Sequence, residues 1–170
     1  MTEIFYVSAV VAVISTVMVI TETHPVHALL FLVMSLLAVA VMFFTLGAPF
    51  VAALEIVLYA GAVMMLFLFV IMMLNLGSHA VEEERSLFDR GALVTGGLLG
   101  AVLIVEIFYI GWARSGQPVG LREIEPKAVG TALFGPYLIG VELASLLLLG
   151  GLVGAYYLGR HAEPHEEGRE

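Results

Sequence analysis

The chain has 170 residues, 61% of them hydrophobic and 13% charged, and a formal net charge of −8; its mean hydropathy is +1.03. A soluble domain is roughly a quarter charged, so a chain this apolar cannot hide its surface in one water-soluble core, and a soluble enzyme is excluded. With no cysteine, a disulfide-stapled domain, a thiolate metal site and a bound iron–sulfur cluster are excluded as well.

A membrane-spanning helix takes about 20 apolar residues. The sequence holds five such runs, continuous rather than alternating, which speaks against a membrane β-barrel. The expected fold is an all-α integral membrane protein with five transmembrane helices in a single domain over residues 1–158. The first run covers 4–20. Its leading charge is Glu3 rather than a Lys or Arg, and no small-residue cleavage pattern follows, so it reads as a retained span rather than a signal peptide. A polar turn ending in Pro25 closes it. The second run covers 26–46 and stops at Gly47-Ala48-Pro49. The third, 50–74, is the longest, with Asn75 and Gly77 as helix-ending residues.

The most polar interior stretch follows, residues 78–90, with Glu82, Glu83, Glu84, Arg85 and Asp89. The fourth run covers 91–112. A Gly-, Pro- and charge-bearing loop is expected over 114–136, then the fifth run over 137–158 and a charged tail over 159–170. Five spans put the termini on opposite faces. The N-terminal face then carries Arg114, Arg122 and Lys127, and the other face Arg85, Arg90, Arg160 and Arg169. The positive-inside rule leans toward an outer N-terminus and a cytoplasmic C-terminus. Tyr109 and Trp112 near one face, and Tyr156 and Tyr157 near the other, suit interfacial aromatic belts. No basic patch marks a nucleic-acid surface.

Three carboxylates fall inside the expected spans: Glu55, Glu106 and Glu142. An ionisable side chain at membrane depth is costly and points to function. At about 1.5 Å per residue, all three lie roughly 8–10 Å below the N-terminal face. They form either a proton- or ion-handling layer or a set of structural contacts and snorkelling side chains. No Lys or Arg lies within a span to pair with them, which points to a subunit of a larger assembly. Glu55 and Tyr59 are four apart and share a helix face. Gly61, in mid-span, either admits a close neighbouring helix or permits a backbone irregularity such as a π-bulge. A helix that gains or loses a π-bulge changes the register of everything after it.

Gly96/Gly100 and Gly150/Gly154 fit the small-xxx-small contact pattern. The methionine pairs Met64-Met65 and Met72-Met73 read as adaptable packing. His24 and His27 sit at a turn without a carboxylate–cysteine set, so no metal is expected there, and none elsewhere. No nucleotide loop or nucleophile–base set is present, so no catalytic residue is expected in this chain.

The third span, Leu54-Glu55-Ile56-Val57-Leu58-Tyr59-Ala60-Gly61-Ala62-Val63 running on through Asn75, closely resembles the signature helix of the J-type (ND6-type) subunit of bacterial NADH–quinone oxidoreductase, respiratory complex I. His24 to Phe31 with Ser35-Leu36, and Val141 to Leu149 around Glu142, are similar to the same family. The resemblance implies a non-redox membrane subunit of a proton-translocating enzyme. This chain would bind no cofactor, with FMN and iron–sulfur clusters in partner subunits. The implied partners are the quinone-site subunit, the small K-type and A-type subunits, the antiporter-like subunits and the lipid bilayer. The implied location is the bacterial inner membrane, with the N-terminus periplasmic and the C-terminus cytoplasmic. The resemblance also implies a π-bulge over Tyr59, Ala60, Gly61, Ala62 and Val63, with Glu55, Tyr59 and Glu142 on or beside a proton path. Multisubunit cation/proton antiporters and membrane hydrogenases contain related small subunits and are the alternative.

Overall fold

The computed structural model describes residues 2–73, 90–113 and 124–160, all within helices or the turns that join them. Six helices are described: α1 (Thr2–Thr21), α2 (Pro25–Thr45), α3 (Pro49–Met73), α4 (Arg90–Ala113), α5 (Pro126–Leu133) and α6 (Leu138–Arg160). Five of them are long and apolar enough to cross a membrane, α4 through its stretch Leu93–Trp112. The expected helix-ending residues Asn75 and Gly77, the expected loop 78–90 as far as residue 89, and the tail from residue 161 lie outside the described residues.

The chain forms two compact units, Met1–Ile124 and Glu125–Glu170. In the first, α2 is the central element and packs against α1, α3 and α4. Pro25 opens α2, where its fixed φ suits the first helical position and no N–H is wasted. The helix ends in a Schellman turn. The Ala48 N–H donates to Phe43 O at 3.0 Å, the Gly47 N–H donates to Phe44 O at 3.2 Å, and Gly47 sits at φ 82°, a value that L side chains resist. Pro49 then opens α3.

Two apolar layers lock α1, α2 and α4 together. Val11, Phe31, Ala38, Leu99 and Leu103 form the larger. Ile4, Val41 and Ile110 form the other, near the face that carries the N-terminus. Lipid provides no hydrophobic drive between such helices, so close packing must hold them. Small residues allow it: Ser8, Ser15 and Ala38 are fully buried. Gly96 and Gly100 of α4 face α2, where a Cβ would meet Phe31 and Met34 respectively.

The second unit corrects the later part of the loop expected over 114–136, because α5 lies within it; residues 114–123 lie outside the described residues. Pro126 occupies its first turn and Thr131 Oγ1 donates back to Lys127 O at 2.8 Å. The Gly and Pro residues that suggested a loop instead mark the start of this helix and the turn into α6. Tyr137 N–H donates to Ala132 O at 3.1 Å, and Leu138 N–H donates to Gly135 O at 3.2 Å.

Candidate functional site

The third span is not a uniform α-helix. It runs as α-helix over Pro49–Leu54, as π-helix over Glu55–Val63 and as α-helix again over Met64–Met73. At Glu55 the backbone N–H still reaches Val51 O, four residues back; at Met64 it reaches Tyr59 O, five back. Tyr59, Ala60, Gly61, Ala62 and Val63 all lie in this π segment, which starts four residues earlier than the sequence suggests and takes in Glu55 itself. The reason is geometric. A π turn pairs groups five residues apart, so a turn that includes Gly61 reaches back to Ile56. A Cβ on Gly61 would sit 3.2 Å from the Ile56 carbonyl oxygen. Glycine at 61, between two alanines, lets that carbonyl come close.

The packing around the segment is uneven. Ala52 before it and Met64 after it are buried. No residue of the π segment is buried, although it packs on α2. Tyr59 is 52% exposed and Glu55 is half-buried. The stretch that departs from α geometry is therefore held at both ends and loosely in between.

The three carboxylates lie on three different helices. Glu55 belongs to the π segment, Glu106 to α4 and Glu142 to α6 of the second unit. The Glu142 backbone carbonyl accepts the Ser145 hydroxyl at 2.7 Å. Among the described residues of the first unit Glu106 is the deeply buried acid, 7% exposed, and its Oε2 accepts the Ser8 hydroxyl at 2.8 Å. Sequence reasoning placed Glu106 at the correct end of α4 but gave no partner for it. The available signal was depth: Ser8 enters α1 from the same face to a similar distance. A second polar contact crosses α1 and α2, where the Thr16 and Ser35 hydroxyls lie 2.9 Å apart. Both also lie within hydrogen-bond reach of Ala12 O, at 2.8 and 3.2 Å, so their two hydrogens are shared among three contacts.

At the α1–α2 turn, His27 Nδ1 lies 4.0 Å from Glu22 Oε1, and the His24 and His27 rings meet edge to face at 5.6 Å. Among the described residues no group of three His, Asp or Glu side chains could hold a metal ion.

The model of the family described as NADH-ubiquinone/plastoquinone oxidoreductase chain 6 matches residues 15–158. The chain belongs to that family. Among the relatives of this chain 6 member is a protein of Pseudomonas aeruginosa named NADH-quinone oxidoreductase subunit J. It is 55% identical over 158 residues, covering 92% of this chain and 95% of the relative. A subunit J of Escherichia coli is 48% identical over 162 residues, covering 95% and 88%. One from Buchnera aphidicola is 41% identical over 157 residues, covering 92% and 96%. The matched region includes α2, α3 and α4 whole, and with them the π segment.

Proposed function

We propose that this chain is the J-type membrane subunit of a proton-translocating NADH–quinone oxidoreductase and that its third helix couples quinone reduction to proton movement. Family membership supports the first part. The observation that carries the second is the nine-residue π segment Glu55–Val63, anchored at Ala52 and Met64 and free of buried side chains between them.

Straightening a π turn removes one residue from the local winding, and each residue of an α-helix corresponds to about 100° of rotation. The portion of α3 beyond the π segment would turn relative to the portion before it. Tyr59, within the segment, would be displaced, and the surroundings of Glu55 would change. The protonation of a carboxyl follows its hydration and its neighbouring charges, so a backbone switch beside Glu55 can take up or release a proton without any redox group in this chain. Glu142 is a secondary acid on this reading. FMN, iron–sulfur clusters and the quinone belong to partner subunits, and the exposed apolar face of α3 is where membrane partners pack. The Lys/Arg balance supports a periplasmic N-terminus and a cytoplasmic C-terminus in the bacterial inner membrane.

The test is Glu55→Gln, which keeps size and hydrogen bonding and removes the titrating group. The expected outcome is an assembled complex with fewer protons moved per NADH oxidised, or with slower coupled turnover. Normal pumping in a fully assembled complex would end the proton role of Glu55. Recovery of the chain with antiporter-like subunits alone, and no NADH-dependent quinone reduction, would end the oxidoreductase assignment.

A further inference from the structure

Glu106 and Ser8 lie apart from the π segment, in the seam between α1 and α4. Glu106 is more than nine-tenths buried, and Ser8 is fully buried. Of the two carboxyl oxygens, Oε2 accepts the Ser8 hydroxyl at 2.8 Å. Oε1 is buried and meets no hydrogen-bond partner among the described residues. The apolar layer Ile4, Val41 and Ile110 lies on one side of the pair, and the layer Val11, Ala38 and Leu103 on the other.

A groove of about 410 Å³ runs along this seam, lined by Glu3, Ile4 and Val7 of α1 and by Ala101, Val105, Glu106 and Tyr109 of α4. Three helices pack here, and their titratable groups are few. Glu3 and Tyr6 are on α1, and His27 is on α2 at its opposite end. Arg90 is at the far end of α4, and Tyr109 is beside the groove. None is a cation at the depth of Glu106. An ionised carboxylate with one oxygen unpaired in an apolar seam is far more costly than a neutral acid in the same place. The pair therefore has the composition of a proton-binding site: a carboxyl, a hydroxyl that donates to one of its oxygens, and a second oxygen free to take the proton.

We propose that Glu106 and Ser8 form a second proton-exchanging site in this chain, within the α1/α4 seam and independent of the π segment of α3. A proton from hydronium binds Oε1 and leaves water behind. Its return to water regenerates the carboxylate, with Ser8 holding Oε2 throughout. Ser8 is a positioning residue. The site takes a proton whether or not the coupling role proposed for α3 holds.

The test uses dicyclohexylcarbodiimide, an apolar reagent that adds only to protonated carboxyls and leaves a stable acylurea. Native membranes containing the assembled chain are treated between pH 6 and 9, and the peptide carrying residue 106 is read by mass spectrometry. The expected result is a labelled Glu106 whose labelling rate falls with rising pH, by about tenfold per pH unit once the site deprotonates. Ser8→Ala is expected to shift that fall along the pH axis, because Oε2 loses its donor. No acylurea at Glu106 anywhere in this range would overturn the site. A Ser8→Ala profile superimposed on the wild type would overturn the role of Ser8. The readout does not depend on NADH or quinone, so failure here leaves the α3 reading untouched, and success here does not rescue it.

Discussion

The first unit carries two intramembrane carboxylates in opposite settings. Glu106 sits on a continuous α-helix between two apolar layers, with a short hydrogen bond to a buried serine. Glu55 opens a π segment in which nothing is buried. Where α1, α2 and α4 meet, small residues bring the helices close, side chains interlock and the backbone stays regular. Where α3 lies on α2, only Ala52 and Met64 are fixed, and the backbone between them departs from α geometry. Polar groups survive in this membrane protein by two routes: sealed in by straight, tight helices, or placed on a backbone that can be rewound. The first suits a site that stays put and the second a site that moves.

The largest effect that would break this comparison is expected at Gly61. Gly61→Leu places a Cβ 3.2 Å from the Ile56 carbonyl oxygen, so the backbone of the π turn must give by a few tenths of an ångström and carry a bulky side chain besides. Coupled NADH:quinone turnover per assembled complex is expected to fall by at least about tenfold, a barrier change of about 1.4 kcal/mol. Gly61→Ala, with the same Cβ and nothing beyond it, should fall between Gly61→Leu and the wild type. Wild-type turnover in the leucine variant would mean that the π segment does not rearrange during the reaction.

A smaller and different effect is expected in the tight seam. A Cβ on Gly100 would lie 3.0 Å from Met34 Cε, the end of a flexible side chain. Gly100→Ala is accommodated by a shift of that methyl group. Gly100→Leu overfills the α2/α4 contact and costs about 1–3 kcal/mol. It is read as a lower thermal midpoint of the solubilised complex, with turnover per surviving complex unchanged. If Gly100→Leu lowered turnover without lowering the midpoint, the seam would share in the motion and the contrast between the two regions would be lost.

The five spans were legible because long apolar runs end at Thr21 to Pro25, at Gly47 to Pro49 and at clustered charges, and each of these has a backbone reason to end a helix. Gly96 and Gly100 were legible as a contact surface but not as a contact with α2, because the pattern fixes a face and not a partner. The bond between Ser8 and Glu106 was hidden for the same reason: it depends on how α1 is rotated against α4, which no single segment encodes. The helix Pro126–Leu133 was hidden by composition. Its Pro, Gly and Lys resemble loop residues, and only Pro126 at the first turn announces it. The extent of the π segment was hidden because hydrogen bonds five residues apart leave no period in the side chains; Gly61 marked its place but not its length.

The smallest effect is expected where the seam has polar contacts to spare. The Thr16 and Ser35 hydroxyls lie 2.9 Å apart, and each is also within reach of the Ala12 carbonyl, so two hydrogens serve three contacts. Ser35→Ala removes the bridge between α1 and α2 but leaves the Thr16 hydroxyl its own bond to Ala12. No donor is stranded, so the loss is limited to the interhelical term, about 0.6 kcal/mol for such bonds in membranes. The thermal midpoint should drop slightly and turnover should not change. A loss several times larger would mean that the Ser35 hydroxyl does more than join two helices. The Thr16 and Ser35 contact would then belong with Ser8 and Glu106 in one connected polar column, and the seam would have to be treated as a conducting element rather than a rigid support for α3.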